Sequence, residues 1–399
     1  MFTAISEPQT QPIDPDDRAY WSQVRSQFIL EPGHAYLNNA ALGMPPKPVR
    51  DAVAEGFRLM SGNPSKAKRD FHGYIESELR PAMAGFLGAE TGEIALARNA
   101  TEGLYHIVNG LDLAPGDGVL MTTQEHPSAV KPWKVRAERY GIEVREVHIP
   151  SPLEGADDIL ERISAAIDGR TKVLFFCHVT RGGYLYPVKR LCAMAREHGL
   201  ISAVDGAQAV GMLDVDLAEV GSDLYTNSLH KWFLGPAGTG FLHVTRAMQP
   251  SFSTLYVPEA EPGGDALRYE IQGTYDLPVR AALGTALDFL NRIGIGNIER
   301  RLRMLSDYLR KALLEVPGLR LLTSLSHDIS SPGSTIFEFD GIDAARWRGP
   351  MEEEAQLHVD DHDRDGHRGL RISTHYYNTT DEIDRCVDKL KELARREGR

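Results

Sequence analysis

The chain has 399 residues, of which 42% are hydrophobic and 25% are charged, proportions typical of a globular protein with a large core. Its formal net charge of −12 argues against a nucleic-acid groove and against an anionic membrane surface as partners. No apolar run approaches the roughly 18 residues that a membrane span needs, and residues 1–17 have the composition of neither a signal peptide nor a transit peptide.

The N-terminal part predicts a loose segment over residues 1–14 and then helices, before the pattern changes to alternating strands and helices. The run 173–179 is almost continuously apolar, which is typical of a strand that helices cover on both faces. This alternation predicts an α/β fold with a mostly parallel central sheet, helices on both faces and right-handed crossovers. The predicted strands are 93–98, 118–123, 143–149, 173–179, 200–205 and 223–228. The predicted helices are 15–27, 46–60, 71–87, 99–111, 129–140, 153–167 and 187–198.

Two long helices with apolar residues at helical spacing, 281–293 and 297–316, are expected to lead into a second domain. Its last helix is predicted to begin with a capping box formed by Thr379 and Glu382. Its other predicted elements are strands 319–323, 334–339 and 369–373 and a helix over 344–356. The predicted organisation is an N-terminal arm with a helix (1–30), a large domain (31–290) and a smaller α+β C-terminal domain (291–399).

Polar side chains follow several predicted strands, at the edge where open α/β sheets bind ligands. These side chains are His126, Thr180, Asp205 and Lys231. A lysine in a partly desolvated pocket has a lowered pKa and can act as the nucleophilic amine of Schiff-base chemistry. On its own, Lys231 is equally typical of an ordinary surface lysine in a loop, so the prediction depends on its companions.

Pyridoxal phosphate (PLP) requires companions of this kind. It needs an amine, a carboxylate that keeps its pyridine nitrogen protonated, a flat side chain against its ring and N–H groups around its phosphate. Asp205 is the predicted partner of the nitrogen, Gln208 is expected to reach the ring hydroxyl, and His126 is expected to stack on the ring. The start of helix 99–111 is expected to hold the phosphate. The residues predicted to bind the cofactor are Ala100, Thr101, Thr180, Asp205, Gln208, Ser228, His230 and Lys231.

An α-amino-acid substrate also needs its carboxylate bound, and four residues are candidates for substrate binding. Arg371 lies on a short apolar strand, where a charge is unusual, and it predicts either a two-pronged carboxylate contact or a structural salt bridge. Arg181 predicts a contact to a second acidic group of the substrate, or a salt bridge or surface position. Asn38 and Asn39 stand beside small residues, and they predict amide donors close to a ligand or a simple turn.

The ordered motifs together resemble the class V aminotransferase family of fold-type I PLP enzymes, over about residues 20 to 395. Within the family, the chain is most similar to the isopenicillin N epimerase-like and cysteine desulfurase-like branch. The resemblance implies a Schiff base on Lys231, with Asp205 and His126 as further catalytic residues. It also implies a homodimer with shared active sites, in which Thr274 of the neighbouring subunit contacts the phosphate. The motifs that carry the resemblance are 36–40, 99–102, 125–126, 204–208, 228–231, 273–274 and 371–373.

Several outcomes are compatible with this set of residues. Lys231 is expected to act as the general base for the Cα proton of the substrate. Transamination or Cβ–S elimination is the preferred outcome, and amino-acid epimerisation of the isopenicillin N epimerase type is the alternative. A catalytically silent PLP-binding regulator or scaffold is the alternative from another class.

The positions of the cysteines bear on the reaction type, and the spacing of the histidines bears on whether a metal is expected. The family resemblance associates persulfide-type desulfurases with a nucleophilic cysteine shortly before the carboxylate arginine, and residues 332–370 contain no cysteine. A persulfide mechanism is therefore disfavoured. Cys177, Cys192 and Cys386 predict buried thiols in a reducing, cytoplasmic compartment. The acidic segment 351–367 predicts a solvated loop or a lid, and its histidines fit no usual metal spacing, so no metal is expected.

Overall fold

The computed structural model describes residues 2, 4–255, 265–271 and 273–398. The strands in chain order are β1 (Ala35–Tyr36), β2 (Ile94–Ala97), β3 (Gly118–Thr122), β4 (Glu143–Val147), β5 (Thr171–Cys177), β6 (Ile201–Asp205), β7 (Leu224–Ser228), β8 (Gly240–Val244), β9 (Leu319–Leu321), β10 (Ser334–Phe339), β11 (Leu357–His358), β12 (Asp360–Arg364) and β13 (His367–Ser373).

The α-helices follow the predicted order, and their ends carry the expected caps. Asn99 caps α5, because its Oδ1 accepts a hydrogen bond of 2.9 Å from the N–H of Glu102. The capping box of Thr379 and Glu382 is present. The helices are α1 (Arg18–Arg25), α2 (Lys47–Gly62), α3 (Pro64–Tyr74), α4 (Arg80–Phe86), α5 (Ala100–Gly110), α6 (Pro127–Tyr140), α7 (Ala156–Ala166), α8 (Val188–Glu197), α9 (Leu217–Val220), α10 (Leu277–Ala281), α11 (Leu283–Ile293), α12 (Ile295–Leu314), α13 (Arg348–Ala355) and α14 (Thr380–Arg396). The π turn is Ile75–Leu79, and the 3₁₀ turns are Thr91–Glu93, Gln249–Ser251, Ala266–Glu270 and Ala344–Trp347.

The large sheet has seven strands in the order β2-β8-β7-β6-β5-β3-β4. Strands β3 to β7 are parallel, and β8 pairs antiparallel with both β7 and β2. Apolar side chains are buried on both of its faces. The prediction of an α/β fold with a mostly parallel sheet is confirmed. Strand β8 was not predicted. Its residues directly follow a glycine-rich turn, so no change in residue type marks where the strand begins.

The small sheet is antiparallel, in the order β12-β13-β10-β9, and packs on α12 and α14. The apolar side chains Ile383, Cys386, Val387, Leu390 and Ala394 of α14 are buried in this second core. Strand β1 pairs with β11, so Ala35 and Leu37 also belong to the core of the small sheet. The division into three sequence domains stays a prediction. Within the described ranges, no helix combines the length and the apolar character needed to cross a bilayer.

The prediction of a solvated loop over residues 351–367 is wrong. Most of this segment is regular, because the end of α13, β11 and β12 all lie in it. Strand β12 pairs with β13 and so becomes an edge of the small sheet. The many acidic residues favoured the prediction of a loop over that of a strand. Asp360 and His362 point inward and are buried, whereas the residue that follows each of them is more exposed.

Candidate active site

A cavity of about 180 Å³ opens where β5, β6 and β7 end and where the loop after β3 begins. These strands are neighbours in the parallel part of the sheet, so the cavity lies at the edge where such sheets bind ligands. The predicted site residues that line it are Ala100, Thr101, His126, Arg181, Asp205, Gln208, Ser228, His230 and Lys231. Lining residues that the sequence did not single out include Gln124, Ser128, Cys177 and Val179.

Lys231 lies in the turn that follows β7, and backbone contacts fix this turn. The N–H of Leu229 donates to the carbonyl of Thr239 at 3.0 Å, and the N–H of Gly43 donates to the carbonyl of His230 at 2.8 Å. A Cβ atom at residue 43 would lie only 2.0 Å from the carbonyl oxygen of Lys231. Glycine at this position therefore lets the N-terminal segment lie directly against the lysine turn.

The environment of Lys231 favours its neutral form. Burial lowers the pKa of the side chain, Asp205 opposes this shift, and the positive charges of Arg371 and Arg181 add to it, so that the pKa is about 8. At pH 7 about one lysine in ten is then a free amine, compared with fewer than about one in a thousand for an unperturbed lysine. Lys231 is thus prepared for nucleophilic attack on a carbonyl carbon.

Asp205 ends β6 and faces the same cavity. Its Oδ1 accepts a hydrogen bond of 2.9 Å from the N–H of Ala207. Burial raises the pKa of Asp205, whereas the Lys231 ammonium lowers it. Nearby, Glu125 is fully buried and accepts a hydrogen bond of 2.7 Å from Thr122. Burial raises the pKa of Glu125 to about 8, so Glu125 is mostly neutral at pH 7. We call Lys231, Asp205 and Ser228 the cofactor end of the cavity.

Hydrogen-bond donors gather beside Ser228 at the start of α5. The N–H of Ala100 donates to Oγ of Ser228 at 2.9 Å, which joins the first turn of α5 to the end of β7. The Nδ1 atom of His230 lies 3.2 Å from the carbonyl of Thr239. Burial and then the charge of Lys231 lower the pKa of His230. A helix start with hydroxyl and imidazole groups suits a phosphate.

His126 caps α6 and projects into the open part of the cavity. Its Nδ1 accepts a hydrogen bond from the N–H of Ser128 at 3.2 Å, and the Ser128 hydroxyl lies 2.7 Å away. Partial loss of hydration, with the charges of Lys231 and of nearby arginines, lowers the pKa of His126 to about 4. The imidazole is therefore neutral at pH 7, and its proton is on Nε2. A neutral flat ring at this edge fits the predicted stacking role.

Three of the predicted cofactor contacts are less direct. Gln208 lines the cavity, but its amide already donates to the carbonyl of Ala40 at 2.9 Å and accepts from Nε1 of Trp232 at 2.8 Å. Thr180 is buried outside the cavity lining, and its hydroxyl accepts from the N–H of Tyr184 at 3.1 Å. Thr274 is exposed and does not line the cavity of its own chain. Cofactor binding by Thr180 and Thr274 stays a prediction.

The other end of the site is built around two arginines, of which Arg181 lines the cavity and Arg371 lies outside its lining. Nη2 of Arg371 and Nη2 of Arg181 donate to the same Oδ2 atom of Asp360, at 2.5 Å and 3.0 Å. Arg371 is almost fully buried on β13, and Asp360 is its direct cross-strand neighbour on β12. We call Arg371, Arg181 and Asp360 the carboxylate end. Both salt bridges that the sequence left open for these arginines are present, and their substrate contacts stay predictions.

The two asparagines have different surroundings. Asn38 Oδ1 accepts from Nη2 of Arg371 at 3.2 Å, which places it at the carboxylate end. Asn39 is fully buried and holds the chain together instead, because it donates to the carbonyl of Ser373 at 2.9 Å and accepts from the hydroxyl of Tyr377 at 2.5 Å. Its predicted contact to the substrate is untested, and its observed role is to join the N-terminal segment to the end of β13.

The model of the aminotransferase class-V family matches residues 35–386. The chain belongs to this family. It is 34% identical to an isopenicillin N epimerase of Amycolatopsis lactamdurans, over 94% of this chain and 99% of that protein. It is 30% identical to a cysteine desulfurase of Haloferax volcanii, over 89% of this chain and 88% of that protein. A solved structure, a lysine-to-alanine mutant of C-DES with glycine covalently linked to its PLP cofactor, superposes with a TM-score of 0.84 at 24% identity and covers 92% of this chain and 99% of that one.

PLP is the cofactor of this chain, and the groups in the cavity fit it. Lys231 supplies the amine, and Asp205 supplies a buried carboxylate that a protonated ring nitrogen would neutralise. Ser228, His230 and the start of α5 would hold the phosphate, and His126 would lie against the ring. The family and the donor set therefore agree on one cofactor.

Proposed function

We propose that this protein is an enzyme that uses PLP to act at the α-carbon of an amino acid or amino-acid conjugate, with transamination or Cβ–S elimination as the outcome. The observation that carries the proposal is the position of Lys231, whose pKa is lowered to about 8, beside buried Asp205 at the strand ends. When bound, PLP supplies an electron sink for the α-carbon.

Each residue of the site has a separate role in the proposed reaction. The Nζ atom of Lys231 takes the proton from the substrate's α-carbon and returns a proton later. The carboxylate of Asp205 holds a proton on the pyridine nitrogen. Arg371 and Asn38 orient the substrate through its carboxylate. The start of α5 with Ser228 holds the phosphate.

Direct elimination is favoured over a persulfide relay by the state of the nearest thiol. Cys177 lines the cavity, but its side chain is almost fully buried, and burial raises its pKa well above the usual value, with Glu125 and Asp205 adding to the shift. A thiol of this kind is a poor nucleophile. Cys192 and Cys386 are also buried, and burial raises the pKa of each to about 12.

Epimerisation is a second candidate, because it needs a proton carrier in addition to Lys231. The neutral ring of His126 lies in the open part of the cavity and can carry a proton on either nitrogen. The relative of 34% identity that is named isopenicillin N epimerase also favours this candidate.

Absorbance and product analysis test the proposal. The purified protein should show a visible band of bound PLP that borohydride and amino acids bleach. Thiol with pyruvate from cysteine conjugates would establish elimination, and a keto acid with pyridoxamine phosphate would establish transamination. Inversion without another product would select the epimerase candidate. A bound cofactor that no amino acid or conjugate alters would instead identify a silent PLP-binding protein.

We further propose a homodimer in which exposed Thr274 contacts the phosphate of the partner. Sedimentation should then give a mass of about twice the 44.2 kDa of one chain. A single species of 44.2 kDa that keeps full activity would contradict the shared site.

A further inference from the structure

The carboxylate end holds a carboxylate of its own. Asp360 is largely buried, and one of its oxygen atoms accepts hydrogen bonds from both Arg371 and Arg181. Arg181 also donates to the backbone carbonyl of Asp361 at 3.2 Å. The arrangement joins the loop after β5 to β12 and β13. It places an internal negative charge where the family resemblance predicts a substrate carboxylate.

The donors of Arg371 show what a ligand has to displace. Nη1 donates to the carbonyl of Arg181 at 3.1 Å, and Nη2 donates to both Asn38 and Asp360. Each two-donor edge of a guanidinium includes Nη2, whose two hydrogens are both in use. The Nε atom of Arg371 is buried and has no partner among the described residues. A carboxylate that binds Arg371 through two donors must therefore replace Asp360 or Asn38 at Nη2.

The charges around this position are few. Arg371 and Arg181 carry two positive charges and Asp360 carries one negative charge, so one positive charge remains. His362, two residues after Asp360 on β12, is neutral at pH 7, because burial lowers its pKa to about 4. The carboxylate of Asp361 also acts on Arg371 through its charge, but it is paired with Arg348 at 3.3 Å, so these two further charges balance each other. The remaining charge is enough to balance one carboxylate.

We propose that Asp360 sets the charge selectivity of the carboxylate end, so that the enzyme takes amino acids with one carboxylate and an uncharged side chain and rejects acidic ones. This inference rests on the proposed function, in which Arg371 binds the substrate. The first carboxylate brings the group to neutrality, and a second one would leave an uncompensated charge in a largely buried place, which is costly. Repulsion of the wrong ligand by a built-in charge is a common source of specificity.

The test measures the binding of two unreactive anions, propionate and succinate, to the PLP-loaded protein by calorimetry. We expect Asp360→Asn, which keeps the side-chain shape, to raise the ratio of the Kd for propionate to the Kd for succinate at least tenfold. The matched control is Asp363→Asn, an exposed carboxylate on the same strand that pairs with Arg368, which should leave this ratio within twofold. Thermal unfolding and cofactor content should show that both variants are folded.

A double variant with the original net charge tests whether the ratio changes because of charge or because of altered packing. Arg181→Gln added to Asp360→Asn restores a net charge of one, and the ratio should return to within about threefold of that of the parent protein. A ratio that does not rise in Asp360→Asn, that rises equally in Asp363→Asn, or that the second change does not restore would overturn the proposal. If Asp360→Asn does not fold, Arg181→Gln alone decides: it should weaken propionate binding at least tenfold, and an unchanged Kd would overturn the proposal.

The outcomes also distinguish this inference from the function on which it rests. If the parent protein binds propionate and the ratio responds to charge, but no amino acid is turned over, only the proposed reaction fails. If amino acids are turned over while the ratio ignores the charge of residue 360, only the role of Asp360 fails.

Discussion

The two ends of the site are built in different ways. The cofactor end comes from neighbouring strands of one sheet, and the parallel register of β6 and β7 brings Asp205 opposite Thr226, near the end of β7 and the lysine turn. The carboxylate end is assembled from the N-terminal segment, the loop after β5 and the small sheet. Within it, Asp360 pairs with both Arg371 and Arg181 and offsets one of their two positive charges. Strand order in the large sheet positions the residues of the cofactor end. Contacts between segments that are far apart in the sequence position those of the carboxylate end.

Lys231→Ala should have the largest effect, because the cofactor end has no second amine at this position. We expect turnover of any amino-acid substrate to fall at least about a thousandfold, the upper part of the range for losing a general base. Borohydride should no longer fix the cofactor to the chain, as mass spectrometry would show. Lys189→Ala, an exposed lysine paired with Glu219, is the control. Fixation that survives in Lys231→Ala would remove this residue from the site.

Arg371→Ala should weaken substrate binding at the carboxylate end and leave cofactor binding at the cofactor end unchanged. Loss of two charged hydrogen bonds to the substrate, at about 1.5 kcal/mol each, should raise KM about 100-fold, while the absorbance band of the cofactor persists. Arg368→Ala, an exposed arginine on the same strand, is the matched control and should leave KM unchanged. If Arg371→Ala loses the cofactor instead, the two ends do not act independently.

Much of the cofactor end could be predicted from the sequence, because strand ends and helix starts have local signals. Asn99 as a cap, the glycine-rich turn after Lys231 and the position of Asp205 are all readable within a few residues. Asp360 could not be found in this way. Several acidic residues stand close together in 351–367, and only the pairing of β12 with β13 shows that this one faces Arg371.

Contacts over long separations also explain the other differences. Nothing near Gln208 in the sequence indicates that Trp232 and the carbonyl of Ala40 occupy its amide. Thr180 lies at the predicted strand end, yet a tight turn to Tyr184 takes its hydroxyl. Sequence patterns place a side chain at an edge of the sheet, and the tertiary packing decides what it touches.

The pH dependence of cofactor loading sharpens the description of the cofactor end. The reactive form of Lys231 is the neutral amine, and its lowered pKa of about 8 sets its abundance. The rate at which the cofactor-free protein takes up PLP should rise about tenfold per pH unit below pH 8 and level off above it. Stopped-flow absorbance would measure this rate. A rise that continues toward pH 10 would show an unperturbed lysine.

Glu125→Gln should have the smallest effect, because Glu125 is already mostly neutral at pH 7. Its folded-state pKa is raised to about 8, so the folded protein holds this proton more tightly than the unfolded chain. The parent protein should therefore lose stability relative to Glu125→Gln as the pH rises from about 4.5 to 8, with no further change above pH 8. Thermal unfolding across this range measures the difference. A constant difference in Tm would place the carboxyl in a more polar environment.

The pairing of the N-terminal segment has a consequence for how the protein forms. Ala35 bonds to Gln356, and Asn38 meets Arg371 across 333 positions of the chain. During synthesis, residues 35–43 emerge long before their partners on β11 and β13. Such distant contacts form slowly, because the intervening chain must be ordered first. The lysine turn can therefore form on a nascent chain well before Arg371 and Asp360 are made, and the carboxylate end is completed after the cofactor end.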